Sequence, residues 1–170
     1  RDFSNDEVAF GSRPLVRVGG PNWVSTGTLK DISDGRLLGL EAAYVAGPIT
    51  LKGEYATVSG NGASDTGAED FDFDALSLEA SFWLTGETTP YDKGAGRFDR
   101  PKVKKNYGDG EGMGAWQVAI GWDTIDLNDG PYAGGEMDVL RFGVNWWLNP
   151  NTRFSMNVVN ADQKDFGEEG

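Results

Sequence analysis

From residue 36 onward the chain alternates between apolar and polar side chains with a period of two, the period at which neighbouring side chains of a strand point to opposite faces. The clearest stretch is 138–148, where Leu140, Phe142, Val144, Trp146 and Leu148 share one face and Arg141, Gly143, Asn145 and Trp147 the other. An Asn-Pro-Asn turn at 149–151 leads into 152–160, whose Phe154, Met156 and Val158 oppose Arg153, Ser155 and Asn157. This hairpin sets Trp146 beside Phe154. Upstream, 36–46 places Leu38, Leu40, Ala42 and Tyr44 opposite Leu37, Gly39, Glu41 and Ala43. After a tight Gly47-Pro48 turn, 49–59 places Ile49, Leu51, Gly53 and Tyr55 opposite Thr50, Lys52, Glu54 and Ala56. Two more strands follow the same rule. In 73–84, Leu76, Leu78, Ala80, Phe82 and Leu84 oppose Ser77, Glu79, Ser81 and Trp83; in 115–125, Trp116, Val118, Ile120 and Trp122 oppose Gln117, Ala119, Gly121 and Asp123. With a short candidate at 13–18, about seven strands are predicted. Residues 1–12 read as polar and unpatterned, 23–35 are ambiguous, and no segment has a convincing helical period.

Strands of roughly nine to eleven residues with one oily and one wet face are the signature of a transmembrane β-barrel. The connections fit that architecture. Those near 47 and 150 are very short, whereas 60–72 and 126–136 read as longer, acidic loops. Counted up and down, the short turns fall on one side and the acidic loops on the other, as in outer-membrane barrels. The same count puts the long connection 85–114 on the short-turn side, where such a length is unusual unless it folds inward. A directly closed turn at 47 also makes Glu41 face Glu54, with Lys52 diagonal to both. Like charges directly opposite destabilise a sheet, so Lys52 or water is expected to offset them.

Composition narrows the function classes. The chain of 170 residues suits one domain, and it has no Cys and no His, so it lacks thiolate metal ligands and the commonest general base. A net charge of −12 argues against nucleic acid as a partner, since phosphate neutralisation needs an excess of Lys and Arg. Glycine, at 25 residues, is about twice its average usage of roughly 7 %, which favours turns and strands. No apolar run reaches the ~18 residues of a spanning helix, and barrel strands escape such averages.

Three groups of residues are candidates for function. The first is basic: Lys93, Arg97, Arg100, Lys102, Lys104 and Lys105, against Asp99 alone. A run of this kind is either a solvated loop or an anion-attracting element at a constriction, which is how a pore favours anions and phosphate. The second is the wet-face set Glu41, Lys52, Glu54, Glu79, Asp123, Arg141 and Arg153. A barrel wall needs polar residues to hold water, but Arg141 and Arg153 lie on adjacent strands of one face, and a guanidinium fork binds two phosphate oxygens at once. The third is acidic: Asp65, Glu69, Asp70, Asp72 and Asp74 in one loop, Asp126, Asp129 and Glu136 in another. These read as solvated, although hard oxygens could hold a divalent cation against lipopolysaccharide. The alternating Gly108, Gly110, Gly112 and Gly114 precede a strand rather than a helix, so they are no nucleotide fingerprint; they read as a flexible return into the strand at 115. No cofactor and no bound metal are expected. Trp116, Trp122, Trp146, Tyr44 and Tyr55 on the oily faces suit either a core or an interfacial aromatic belt.

The runs Leu40-Glu41-Ala42-Ala43-Tyr44, Gly47-Pro48 and Gly53-Glu54-Tyr55 resemble the phosphate-selective porin O and P family. So do Phe82-Trp83-Leu84-Thr85-Gly86-Glu87 with Pro90-Tyr91-Asp92, Gly114-Ala115-Trp116-Gln117, and Asn145-Trp146-Trp147-Leu148-Asn149-Pro150-Asn151. The resemblance covers about residues 36–160. It implies an all-β, antiparallel transmembrane β-barrel of about sixteen strands, of which this single barrel domain is the C-terminal portion. It further implies a homotrimer in the outer membrane of a Gram-negative-type bacterium, among lipid and lipopolysaccharide. The implied activity is passive diffusion of inorganic anions, phosphate or polyphosphate, through a charged water-filled lumen, with no enzymatic step. Connection 85–114 would then fold inward, and the anion path would comprise Arg141, Arg153, Lys93, Arg97, Arg100, Lys102, Lys104 and Lys105. The competing expectations are a soluble β-sandwich that binds carbohydrate through exposed Trp residues, and an all-β hydrolase using paired carboxylates.

Overall fold

A computed structural model of the protein describes residues 7–14, 21–62 and 69–164. Ten strands follow one another among them: β1 (Val8–Ser12), β2 (Val24–Leu29), β3 (Ile32–Ala46), β4 (Ile49–Gly62), β5 (Phe71–Trp83), β6 (Tyr91–Asp92), β7 (Arg97–Phe98), β8 (Ala115–Asp129), β9 (Tyr132–Asn149) and β10 (Thr152–Lys164). No helix occurs among the described residues. Six long strands form one antiparallel sheet in the order β10-β9-β8-β5-β4-β3, an up-and-down meander in which chain neighbours are sheet neighbours. β1 pairs with β2, and β6 with β7, as two small separate hairpins. The six-stranded sheet does not close into a barrel: β3 and β10 are its two edges.

The alternation of the sequence predicts the cores of all six sheet strands, and the register follows. Ala46 pairs with Ile49 across the Gly47-Pro48 turn, Glu41 does face Glu54, and Trp146 does face Phe154. Several boundaries differ. Residues 8–12 are a strand and not unpatterned chain, because Val8 and Phe10 pack on the buried cluster described below. Of the candidate at 13–18, Arg13 and Pro14 lie outside any strand, and residues 15–18 lie outside the described residues. The expected loop 126–136 is mostly strand; β8 and β9 continue through it to a tight turn at 130–131, with a bulge between Asp126 and Asn128.

That extension has a physical cause. At this end of the sheet the two faces exchange polarity. Val58, Phe73, Ile125, Leu127, Met137 and Val139 continue the face that carries Arg141, yet they are apolar, because the β1–β2 hairpin covers them. Val24, Leu29 and Ile32 complete this cluster, with Phe73 only 1 % exposed. The rings of Phe71 and Phe73 stack at 4.9 Å, and Phe10 lies 5.7 Å from each. On the opposite face the same stretch carries Asp74, Asp126, Glu136 and Asp138. Over the rest of the sheet that opposite face is apolar and exposed: Leu40 (62 %), Leu78, Ile120, Leu140, Phe142 (47 %), Met156 and Val158 all point outward. Among the described residues no second sheet packs over it, so the described residues do not form the two-sheet core of a sandwich.

Candidate functional site

The polar face is built in rows, with one residue from each of β3, β4, β5, β8 and β9. One row runs Ala43, Lys52, Glu79, Gly121, Arg141; the next runs Glu41, Glu54, Ser77, Asp123, Val139. Lys52 lies opposite Glu79 and pairs with it at 3.0 Å. Arg141 reaches past β8 to Glu79, 3.3 Å away, and also holds Asp123 at 2.9 Å. It can lie across β8 only because position 121 has no side chain: a Cβ there would come within 2.4 Å of the Arg141 Nε. Two cations and two carboxylates thus form a self-neutralising network, half-buried at 25–35 % side-chain exposure. Ser77 and Asp123 complete it with a 2.6 Å hydrogen bond.

The network corrects one expectation. Lys52 does not relieve the Glu41–Glu54 pair, because it turns the other way, to Glu79 on β5. Among the described residues no cation lies within 4.0 Å of either Glu41 or Glu54.

Removing Arg141 would leave Asp123 without a cation and Glu79 with Lys52 alone. Arg141→Ala is expected to cost about 1–3 kcal/mol, between the values of exposed and buried pairs. Adding Asp123→Asn should recover most of that loss. Equilibrium unfolding of the two variants in urea checks the expectation; an Arg141→Ala change without cost would show the network to be inert.

The connection after β5 lies against this polar face, and its starting point is set by the Leu-Thr-Gly-Glu sequence. Gly86 adopts φ +80°, open to glycine at no steric cost, and turns the chain back. Thr85 Oγ1 accepts the Trp116 N–H (3.0 Å) and donates to Glu87, whose carboxylate is 2 % exposed and also accepts the Lys104 N–H (3.3 Å). Thr89 follows, accepting the Trp83 indole N–H (3.0 Å) and the Thr50 hydroxyl (2.7 Å). The β6–β7 hairpin then lies over the sheet, with the Phe98 ring 4.8 Å from Lys52 Nζ. Farther on, Tyr107 crosses to the apolar face, where its ring meets Trp146 at 5.2 Å; Trp146 also stacks on Trp116 at 5.1 Å and donates its indole N–H to the Met113 carbonyl. Glycines 108, 110 and 114 all have positive φ and form wound turns, with Gly108 N–H bonded to the Gly112 carbonyl, rather than a flexible return to β8.

The basic residues separate into two groups. Arg97, Arg100 and Arg153 converge with Phe98, Asp99 and Trp147 around a cavity of about 410 Å³. The Arg153 guanidinium lies 5.0 Å over the Trp147 ring, Arg100 donates to Asn151 in the β9–β10 turn (3.0 Å), and Asp99 accepts the Arg100 N–H (2.7 Å). A larger cavity of about 760 Å³ continues from Arg153, Asp99 and Trp147 to Arg141, Glu79 and Lys52. Lys93, Lys102, Lys104 and Lys105 are exposed and line none of these cavities. Lys104 instead donates to the Gly86 carbonyl. The spacing of residues marked the basic run but could not divide it. The residues missed by sequence reasoning are Gly121, Thr85, Glu87 and Thr89, and only the Leu-Thr-Gly-Glu run gave a sign of any of them.

Of the acidic residues, Asp65 lies outside the described residues. Among those described, no group of three or more His, Cys, Asp or Glu is placed to hold a metal ion.

Comparison with known proteins agrees with this geometry. The chain is 30 % identical over 148 residues to an uncharacterized protein of Caulobacter vibrioides, covering 87 % of this chain and 29 % of that protein. It is 26 % identical over 166 residues to Porin O of Pseudomonas aeruginosa, covering 92 % of this chain and 35 % of that protein. It therefore spans about a third of the length of these relatives. Residues 5–169, nearly the whole sequence, match one family throughout, and the chain belongs to the phosphate-selective porin O and P family.

Proposed function

We propose that this chain forms part of the wall of an outer-membrane porin, with lipid against the apolar face and water against the polar one. One observation carries the reading: large apolar side chains stand exposed along most of one face of the sheet, while the other face carries charge over the same stretch. A soluble protein has no use for so large an uncovered apolar surface. Its extent suits a bilayer. Leu140 to Leu148 spans about 27 Å along β9 at ~3.4 Å per residue, or about 21 Å of height at a tilt of ~40°, near the ~25 Å apolar band of outer-membrane barrels. The stacked Tyr107, Trp116 and Trp146 would mark one interface of that band.

In this reading solutes pass by diffusion, and fixed charge steers them. Arg97, Arg100 and Arg153 form the anion-attracting patch, suited to phosphate or polyphosphate because each guanidinium offers a planar pair of donors. Lys93, Lys102, Lys104 and Lys105 raise the anion concentration at the approach. Arg141 contributes little net attraction, being held by two carboxylates. The reading carries with it a homotrimer surrounded by lipopolysaccharide, and a channel rather than an enzyme.

The test is extraction followed by reconstitution. The protein is expected to leave membranes only with detergent and to give ohmic, anion-preferring conductance steps in a planar bilayer. A protein that extracts in buffer, or gives no conductance, would end this reading.

A further inference from the structure

A further cavity over the polar face adjoins both the arginine patch and the neutral network. It encloses about 580 Å³ between β3, β4 and the β6–β7 hairpin, and its walls include Glu41, Glu54, Tyr91, Arg97 and Phe98. Its two sides carry opposite charge. On the sheet side Glu41 and Glu54 are direct cross-strand partners, a placement that puts their Cβ atoms about 5 Å apart and costs stability by like-charge repulsion. On the hairpin side stands Arg97, which forms no ion pair with the described residues and also lines the cavity of Arg100 and Arg153. Lys52 also lines the cavity, but its ammonium is committed to Glu79. Arg13 shares a separate cavity of about 270 Å³ with Glu54 without coming within 4.0 Å of it.

A wall that repels itself on one side and carries an uncommitted guanidinium on the other is complementary to a solute with charges of both signs. We propose that this cavity is a subsite for zwitterionic solutes, small molecules bearing an ammonium group and an anionic oxygen group. The ammonium lies between Glu41 and Glu54, and relieves their repulsion. The carboxylate or phosphate lies on Arg97, from which Arg100 and Arg153 lead along the polar face. The Tyr91 and Phe98 rings, 5.2 Å apart, give the carbon chain between the two charged groups an apolar surface. The volume is ample for such a molecule. A simple inorganic anion uses only the Arg97 side and meets repulsion from the other. The inference rests on the reading of the polar face as a pore lining.

The test is swelling of liposomes that contain the whole protein, driven by 4-aminobutyrate or by an uncharged polyol of matching size. The wild-type ratio of the two rates is expected to be about threefold, the gain that a single exposed ion pair supplies. Glu41→Gln with Glu54→Gln should bring the ratio to about one, and Arg97→Gln should do the same from the other pole. The Gln pair removes a repulsion, so folding is not at risk. A ratio unchanged in both variants overturns the proposal and leaves the pore reading intact, because polyol still enters. Liposomes that admit neither solute overturn the pore reading itself.

Discussion

Replacing Arg97, Arg100 and Arg153 together by Glu is expected to reverse the ion preference of the pore. The three guanidiniums are the basic groups that share one cavity over the polar face, and Asp99 is the single carboxylate among them. Reversal turns three positive charges into three negative ones around one open pocket over the polar face, and fixed charge along a pore governs which ion enters. The anion-to-cation permeability ratio should fall on the order of tenfold or more, and the reversal potential in a salt gradient should change sign. The matched control is Lys102, Lys104 and Lys105 to Glu, which also reverses three charges. Those side chains are exposed like the arginines but line none of these cavities, so their charges are spread apart, and screening acts within about 8 Å at physiological salt. Their reversal should lower anion preference by a smaller factor and weaken further as salt rises. Equal shifts from the two sets would show that the approach, and not the arginine patch, sets selectivity.

The second large effect lies on the other face. Phe142→Arg is expected to destabilise the folded protein in lipid by about 2–4 kcal/mol, the cost of Arg near the middle of a bilayer. Phe142 sits between Leu140 and Val144 on the apolar face of β9, level with Ile120 on one neighbour and Val158 on the other. It is 47 % exposed, so the same substitution on a surface that met water would be nearly neutral. Asp138, two residues from Leu140 on the same face, gives the internal comparison. Asp138→Arg lies at the acidic end of that face and should cost far less. Unfolding titrations in lipid vesicles separate the two, and equal small costs would mean that lipid does not cover this face.

The strand cores were legible because alternation is a local property, and each sheet strand carries three or more repeats of it. The ends of β5, β8 and β9 were not, because the faces exchange polarity there. Ile125, Leu127 and Met137 are apolar on the wet face only because β1 and β2, about a hundred residues earlier, cover them. Without that hairpin the stretch reads as a polar loop. The site divides in a similar way. Arg141 and Arg153 look equivalent along the chain, being inward residues on adjacent strands. What distinguishes them is register: β8 and β5 bring Asp123 and Glu79 to Arg141, whereas Arg153 meets the Trp147 ring. The partition of the basic run is likewise a matter of where the Leu-Thr-Gly-Glu turn starts the connection, which spacing does not encode.

Gly121 gives this wall a property that a count of charges does not show. The residue is neutral and has no side chain, yet its vacancy is the path by which Arg141 reaches Glu79. A single methyl group there would push the guanidinium aside and rearrange the pairing of Arg141, Glu79 and Asp123 on the polar face without adding or removing any ionisable group. If this face lines a pore as proposed, selection on what it admits can act through small residues between the charged ones. Two relatives with the same list of acids and bases can differ in permeability because one of them has lost the space that let its charges cancel.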